Sequence, residues 1–487
     1  MTEREAPSIP AATVVLWTGV FVALVIYGMS LFPGGYLHYE GQFFLSSQLG
    51  DRPLFARLFS AHLNEWDCYQ GRELSFAAGL IDAQLVVLGA RLGAVHLYSL
   101  VTCWCLVVTA VVLWRSLPQL TGIDHRASGL ITSLFLTSPV AARSMFYYRP
   151  AKALAGLFFV IVLAIVSRLL RSRDAESYGV LAVTLAIAAT LMGLSDRIGV
   201  YLIVAIGVVI AILRWPFDTR ARLIVAVLGV ALAINFVWSA AIGPYLSRAA
   251  DGTMPDTRNQ LIALRYTFGN FIHYRTALSL WLEQISFQLG SRGMVSVVTL
   301  AVPVAVIVTR RRRVERRPMI AVIAAAALAL MLYVMMYAKL NSVAWPESRR
   351  VYYWIPSGIV IAVGVAFLTG RTLTVRPDAR PVFLAVLLVM LISNIIALPS
   401  HAAVIEAGEQ RPQILEAPRL RECIRNGSLP LQGFALSSGA RMACYWVRRS
   451  VSLQSVSDEV PPEATPNALL YCRNSKERQP ALRSLGP

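Results

Sequence analysis

An all-α polytopic membrane protein with about eleven transmembrane helices is predicted, and three observations carry that reading. Of 487 residues, 56% are hydrophobic and 15% charged, and mean hydropathy, at +0.59, lies well above that of soluble domains. The apolar residues gather in runs close to the roughly 20 that a spanning helix needs. The formal charge of +18 falls in short clusters between those runs, where it sets topology, so nucleic-acid binding is excluded as a function.

The runs lie near residues 11 to 32, 93 to 114, 128 to 142, 153 to 170, 178 to 195, 199 to 213, 221 to 242, 293 to 309, 318 to 337, 353 to 370 and 381 to 398. The first is too long for a signal-peptide core and is followed by Pro33-Gly34-Gly35 without a cleavage pattern, so it reads as a retained span. Orientation follows from the arginines in alternate connections. One set of short turns carries Arg115 and Arg126; Arg168, Arg171 and Arg173; Arg214, Arg220 and Arg222; Arg310 to Arg313 with Arg316 and Arg317; and Arg371, Arg376 and Arg380. These turns are assigned to the cytoplasm. The amino terminus then lies inside a bacterial inner membrane and the carboxy terminus outside it.

Two domains follow: a transmembrane body over 1–398, with outer loops 33–92 and 243–292, and a small extracytoplasmic region over 399–487. The tail mixes Pro, Ser and charge with alternating stretches at Met442 to Val447 and Ala468 to Cys472, which suggests a small mixed lobe. In an oxidising compartment two of Cys423, Cys444 and Cys472 can pair, and three pairings stay open. No CxxC or Cys/His cluster with metal spacing occurs, so no structural zinc is expected. No cofactor is expected, with a divalent metal left open.

The cytoplasmic connections are too short for a nucleotide-sugar domain, a P-loop or a Rossmann unit, which directs any substrate to the membrane or the outer side. Ionisable residues are almost absent from the spans, which argues against ion-coupled transport. Acids concentrate instead in the first outer loop, at Glu40 and in Asn64-Glu65-Trp66-Asp67-Cys68-Tyr69-Gln70-Gly71-Arg72-Glu73. In an extended segment Glu65 and Asp67 project to one side beside Trp66 and Tyr69. Paired acids next to aromatics suit sugar binding and removal of a hydroxyl proton, the alternative being a solvated acidic loop.

Residues 71 to 90 are too polar to span comfortably and read as an interfacial helix, with Asp82 either a buried acid or on the wet face. Two outer turns join cations to aromatics: Tyr147-Tyr148-Arg149-Pro150-Ala151-Lys152 and Glu347-Ser348-Arg349-Arg350-Val351-Tyr352. Guanidinium forks suit phosphate oxygens, and snorkelling cations in an aromatic belt are the alternative. Ser195-Asp196-Arg197 reads as a tight outer turn closed by a local ion pair.

The layout resembles the GT-C class of membrane glycosyltransferases, in particular bacterial enzymes that use polyprenyl-phosphate sugars. The shared features are a helical body, an acid-bearing first outer loop with interfacial helices, cationic outer turns and a trailing outer lobe. Such enzymes carry an acidic pair in that loop. The resemblance therefore implies a base at Asp67, with Glu65 and Glu40 as alternatives, and phosphate contacts at Arg72, Arg149, Lys152, Arg349, Arg350 and Tyr352. It implies a lipid-linked sugar donor and a cell-envelope glycan or lipid acceptor. A glycan polymerase or ligase built on the 243–292 loop, a lipid-linked glycan flippase and a non-catalytic scaffold are the rival readings.

Overall fold

The computed structural model describes residues 45–50, 52–61, 69, 71–145, 150–171, 175–214, 218–252, 254–255, 355–375, 377–408, 411–426 and 438–451. Among these residues the regular structure is all helical: α1 Leu54–Phe59, α2 Glu73–Arg91, α3 Leu100–Thr121, α4 His125–Thr137, α5 Pro139–Met145, α6 Pro150–Arg171, α7 Ala175–Ser195, α8 Arg197–Leu213, α9 Thr219–Val237, α10 Gly243–Asp251, α11 Ile355–Val375, α12 Arg380–Gly408, α13 Arg411–Asn426 and α14 Ser438–Val451. A π-helical turn, Trp238–Ile242, joins α9 to α10. Six of the described segments are long and apolar enough to cross a membrane, and α8 and α11 contain shorter apolar helices. The expected runs at 11 to 32, 293 to 309 and 318 to 337 lie outside the described residues, as do Glu40, Glu65, Asp67, Arg149, Arg349, Arg350 and Tyr352.

The helix starts explain where the chain turns. A carboxylate or hydroxyl at the N-cap satisfies an otherwise unpaired backbone N–H. Ser99 accepts from Thr102 N, Asp124 from Ala127 N, Asp196 from Ile198 N and Asp218 from Ala221 N. The second expected run therefore starts later than its hydropathy suggests, at Leu100 instead of 93. The third is two helices, because Ser138 is extended ahead of Pro139, whose ring disfavours helix in the residue before it.

Successive spans alternate direction. Lys152 near the start of α6 meets Asp196 just beyond the end of α7, so these two helices run antiparallel over their full length. Ser128 of α4 donates to Trp114 O of α3. Arg380 at the start of α12 pairs with Asp124 at 2.9 Å, and Asn394 of the same helix donates to Thr137. A Cβ on Gly156 would lie 2.8 Å from Ile355, which sets the start of α11 against the start of α6. Such close approach is what holds helices together where lipid removes the hydrophobic drive between them. One end of the bundle consequently collects Arg126, Arg168, Arg171, Arg214, Arg220, Arg222 and Arg380. The other collects the starts of α3, α6, α8 and α11 with the ends of α7 and α9.

Helix α2 belongs to that second end. It is long enough to span, but its mean hydropathy of 1.4 is the lowest of the six candidates. Arg72, just before it, pairs with Asp196. At mid-length Asp82 accepts from Val101 N at 2.9 Å and from the Ser99 hydroxyl. Both contacts are with the same end of the bundle, so α2 lies across that end. Asp82 is 1% exposed and caps α3, which places it among buried groups and not on a wet face.

The carboxy-terminal helices cover α2. Leu420, Cys423, Ile424, Ala440, Cys444 and Val447 form one apolar cluster with Ala83, Val86 and Val87 of α2 and with Leu45 and Leu49. The stretch from Met442 to Val447, expected to alternate within a mixed lobe, is helical because its apolar positions face α2 and α13 on one side. Cys423 and Cys444 form a disulfide with Cα atoms 6.1 Å apart. Non-reducing peptide mapping is expected to recover these two cysteines in one joined pair, and Cys423→Ser is expected to destabilise the lobe by about 3 kcal/mol.

Candidate functional site

A polar cluster is buried where α2 meets the bundle. The α7–α8 turn supplies Asp196, held in place as the N-cap of α8 and 1% exposed. Lys152 Nζ lies 2.5 Å from its Oδ1, and Arg72 Nε lies 3.4 Å from its Oδ2. The expected exposed turn is thus a buried one, and its carboxylate is neutralised across the chain by residues from α6 and from the segment leading into α2. Burial by itself would raise the Asp196 carboxyl, but the Lys152 and Arg72 cations outweigh it and hold the group well below the usual carboxylate range.

The two cations differ in exposure and in distance from the carboxylate. Lys152 is 1% exposed and committed to Asp196. Arg72 is 12% exposed and reaches the carboxylate with Nε at 3.4 Å.

Beside this ion cluster Tyr69 donates to Glu73 Oε1 at 2.5 Å, with both side chains buried. Burial and the neighbouring Glu73 carboxylate push the Tyr69 hydroxyl far above its ordinary range, which keeps it a proton donor. The pair fits against the π-turn only because residue 243 is glycine: a Cβ there would fall on the Tyr69 hydroxyl and 3.0 Å from Glu73 Oε1. Gly71, at φ +57°, takes a left-handed turn beside Ser239 that brings Arg72 and Glu73 inward. Gly243→Ala is expected to displace Tyr69 and cost about 1–3 kcal/mol by overpacking, read as a lowered melting midpoint in detergent.

The first loop is pinned on both sides of its acidic segment. Before it, Ser60 Oγ and Ala61 N donate to Asp251 at the end of α10, at 2.5 and 2.8 Å. After it stands the Tyr69–Glu73 pair. Of the residues expected to form the site, the structure describes Arg72 and Lys152 and brings them onto one carboxylate. Asp196, Glu73, Trp238 and Gly243 lie beside them; Glu73 has its partner Tyr69 four residues away, whereas Asp196 and Gly243 meet groups far away in sequence, which hid their placement. The available signal was an acid directly after one span matched by a lysine entering its neighbour. Among the described residues no group of three or more His, Cys, Asp or Glu side chains is placed to hold a metal ion.

These features define an all-helical, multi-pass membrane protein with a buried ion cluster at one end of its bundle. No protein-family model and no curated protein matches the sequence. Among solved structures the chain is similar to the oligosaccharyltransferase of Archaeoglobus fulgidus, crystallised with zinc and sulfate, at 13% identity and a TM-score of 0.43. The match covers 93% of this chain and 58% of that one, so the chain spans little more than half the length of its structural neighbour.

Proposed function

We propose that the chain is a membrane glycosyltransferase. It transfers a hexose or pentose from a polyprenyl-phosphate donor to a cell-envelope glycan or lipid, on the outer face of a bacterial inner membrane. The observation that carries the reading is the buried cluster of Arg72, Lys152 and Asp196 at the end of the bundle opposite the arginine-rich turns, where disulfide-joined helices also pack on α2. Two independent signals support its sidedness. Arginines in short turns favour the cytoplasmic side, and a disulfide belongs to an oxidising compartment.

The acidic segment lies between the anchors at Ala61 and Tyr69, which are eight residues apart in sequence. In the proposed reaction Asp67 or Glu65, with Glu40 as the alternative, takes the proton of the attacking hydroxyl. Arg72 meets the departing phosphate and stabilises its charge, assisted by Arg149, Arg349, Arg350 and Tyr352. Lys152 holds Asp196 and thereby positions Arg72. One direct displacement inverts the sugar carbon.

Two measurements test this reading. Surface glycans compared by mass, with and without the gene, are expected to differ by one hexose or pentose; loss of long chains would point to a polymerase. A cysteine replacing Trp66 is expected to react with a membrane-impermeant thiol reagent from outside. Labelling only from the cytosol overturns the reading.

A further inference from the structure

Two buried polar atoms beside the ion cluster have no partner among the described residues. Glu73 spends Oε1 on Tyr69, while its Oε2 is buried and makes no hydrogen bond, although the residue is only 8% exposed. Trp238 Nε1, on the π-turn, is likewise buried without a bond. The indole N–H approaches both the Glu73 carboxylate and the Tyr69 hydroxyl without completing a hydrogen bond to either. Buried polar atoms are rarely left unsatisfied, and π-turns recur at functional sites. Buried indole N–H groups in particular find acceptors.

With Glu73 ionised the two atoms are complementary: Oε2 only accepts and the indole N–H only donates. A hydroxyl group answers both, donating to Oε2 and accepting from Nε1. An ammonium has nothing to offer the indole N–H, and a phosphate is repelled by the carboxylate. Gly243 keeps the backbone clear of the Tyr69–Glu73 pair, so the acceptor is held in one orientation.

We propose that Glu73 and Trp238 form a subsite that binds a sugar hydroxyl next to the Asp196 cluster. The class of ligand rests on the glycosyltransferase reading, whereas the paired donor and acceptor do not. Both residues position the sugar, and neither makes or breaks a bond.

The test uses the full-length protein in nanodiscs, with methyl hexosides and pentosides and their monodeoxy analogues as probes, read by saturation-transfer NMR. The wild type is expected to bind one glycoside series. Trp238→Phe, which keeps a ring and removes the N–H, is expected to weaken binding roughly ten- to a hundred-fold. One deoxy analogue is expected to lose a similar factor on the wild type and nothing further on the variant. Should the variant not insert, the deoxy series on the wild type decides: loss at one position supports the subsite, and equal binding of all analogues overturns it. Absence of glycoside binding, which would leave the pair to a buried water, overturns it too. Sugar transfer measured in cells separates the two readings. Transfer that depends on Asp67, with glycoside binding unaffected by Trp238→Phe, removes the subsite and keeps the transferase. Binding that depends on Trp238, in a protein that changes no glycan, removes the transferase and keeps the subsite.

Discussion

Lys152→Met is expected to cost the folded protein about 3–5 kcal/mol, because it strands the Asp196 carboxylate in a site that is 1% exposed. Arg72 remains nearby, but it reaches the carboxylate at 3.4 Å without a hydrogen bond and cannot take over the 2.5 Å contact. The double variant Lys152→Met, Asp196→Asn is expected to recover much of the loss, since the uncompensated charge is then gone. Melting of the four proteins in one detergent forms a double-mutant cycle, in which the pair is expected to show strong coupling. Additive, small losses would mean that Lys152 and Asp196 do not depend on each other. Transfer is expected to fall with Lys152→Met even at temperatures where the variant remains folded, because Lys152 no longer holds Asp196 in place and the carboxylate no longer fixes the position of Arg72.

Asp67→Ala is expected to lower sugar transfer by roughly 10²–10⁴-fold, the range a positioned general base contributes, with the protein still inserted at wild-type level. Glu65→Ala and Glu40→Ala are expected to have smaller effects if Asp67 is the base. The readout is the mass of the surface glycan. Intact glycan in all three single variants would remove the first-loop acids from the mechanism. The prediction differs in kind from that for Lys152: a base variant loses rate with an unchanged melting midpoint, whereas an ion-pair variant loses both.

Much of the body was legible because spanning helices announce themselves locally. The runs at 153 to 170, 178 to 195 and 381 to 398 appear as α6, α7 and most of α12, since each must bury its own backbone hydrogen bonds within one continuous apolar stretch. The start of α3 was misplaced because hydropathy alone cannot see a cap. Residues 93 to 99 are apolar enough to join the span, but Gly93 takes φ +74° and Asp82 ties down the first turn at Val101. The break at Ser138-Pro139 was written in the sequence as a proline rule that a smooth apolar profile conceals.

The site was less legible. Arg72 and Lys152 stood out as cations beside aromatics at the end of the bundle now seen to carry the cluster, but their common partner was read as an exposed turn. Asp196 directly follows a span, and nothing nearby in sequence marks it as buried. Trp238 lay inside an apolar run and Gly243 at its edge, and neither residue type distinguishes a site from ordinary packing.

Composition, apolar run length and arginine spacing determined by themselves that this chain is a helical multi-pass membrane protein, because a bilayer imposes those demands on each segment separately. Only the tertiary structure decided that α2 lies across one end of the bundle and that Cys423 pairs with Cys444. It also decided that Lys152, Arg72 and Asp196 share one buried cluster. The cluster depends on groups brought together from 44 and 124 positions apart, Lys152 with Asp196 and Arg72 with Asp196, and pairing energies of that kind exist only once the helices have packed.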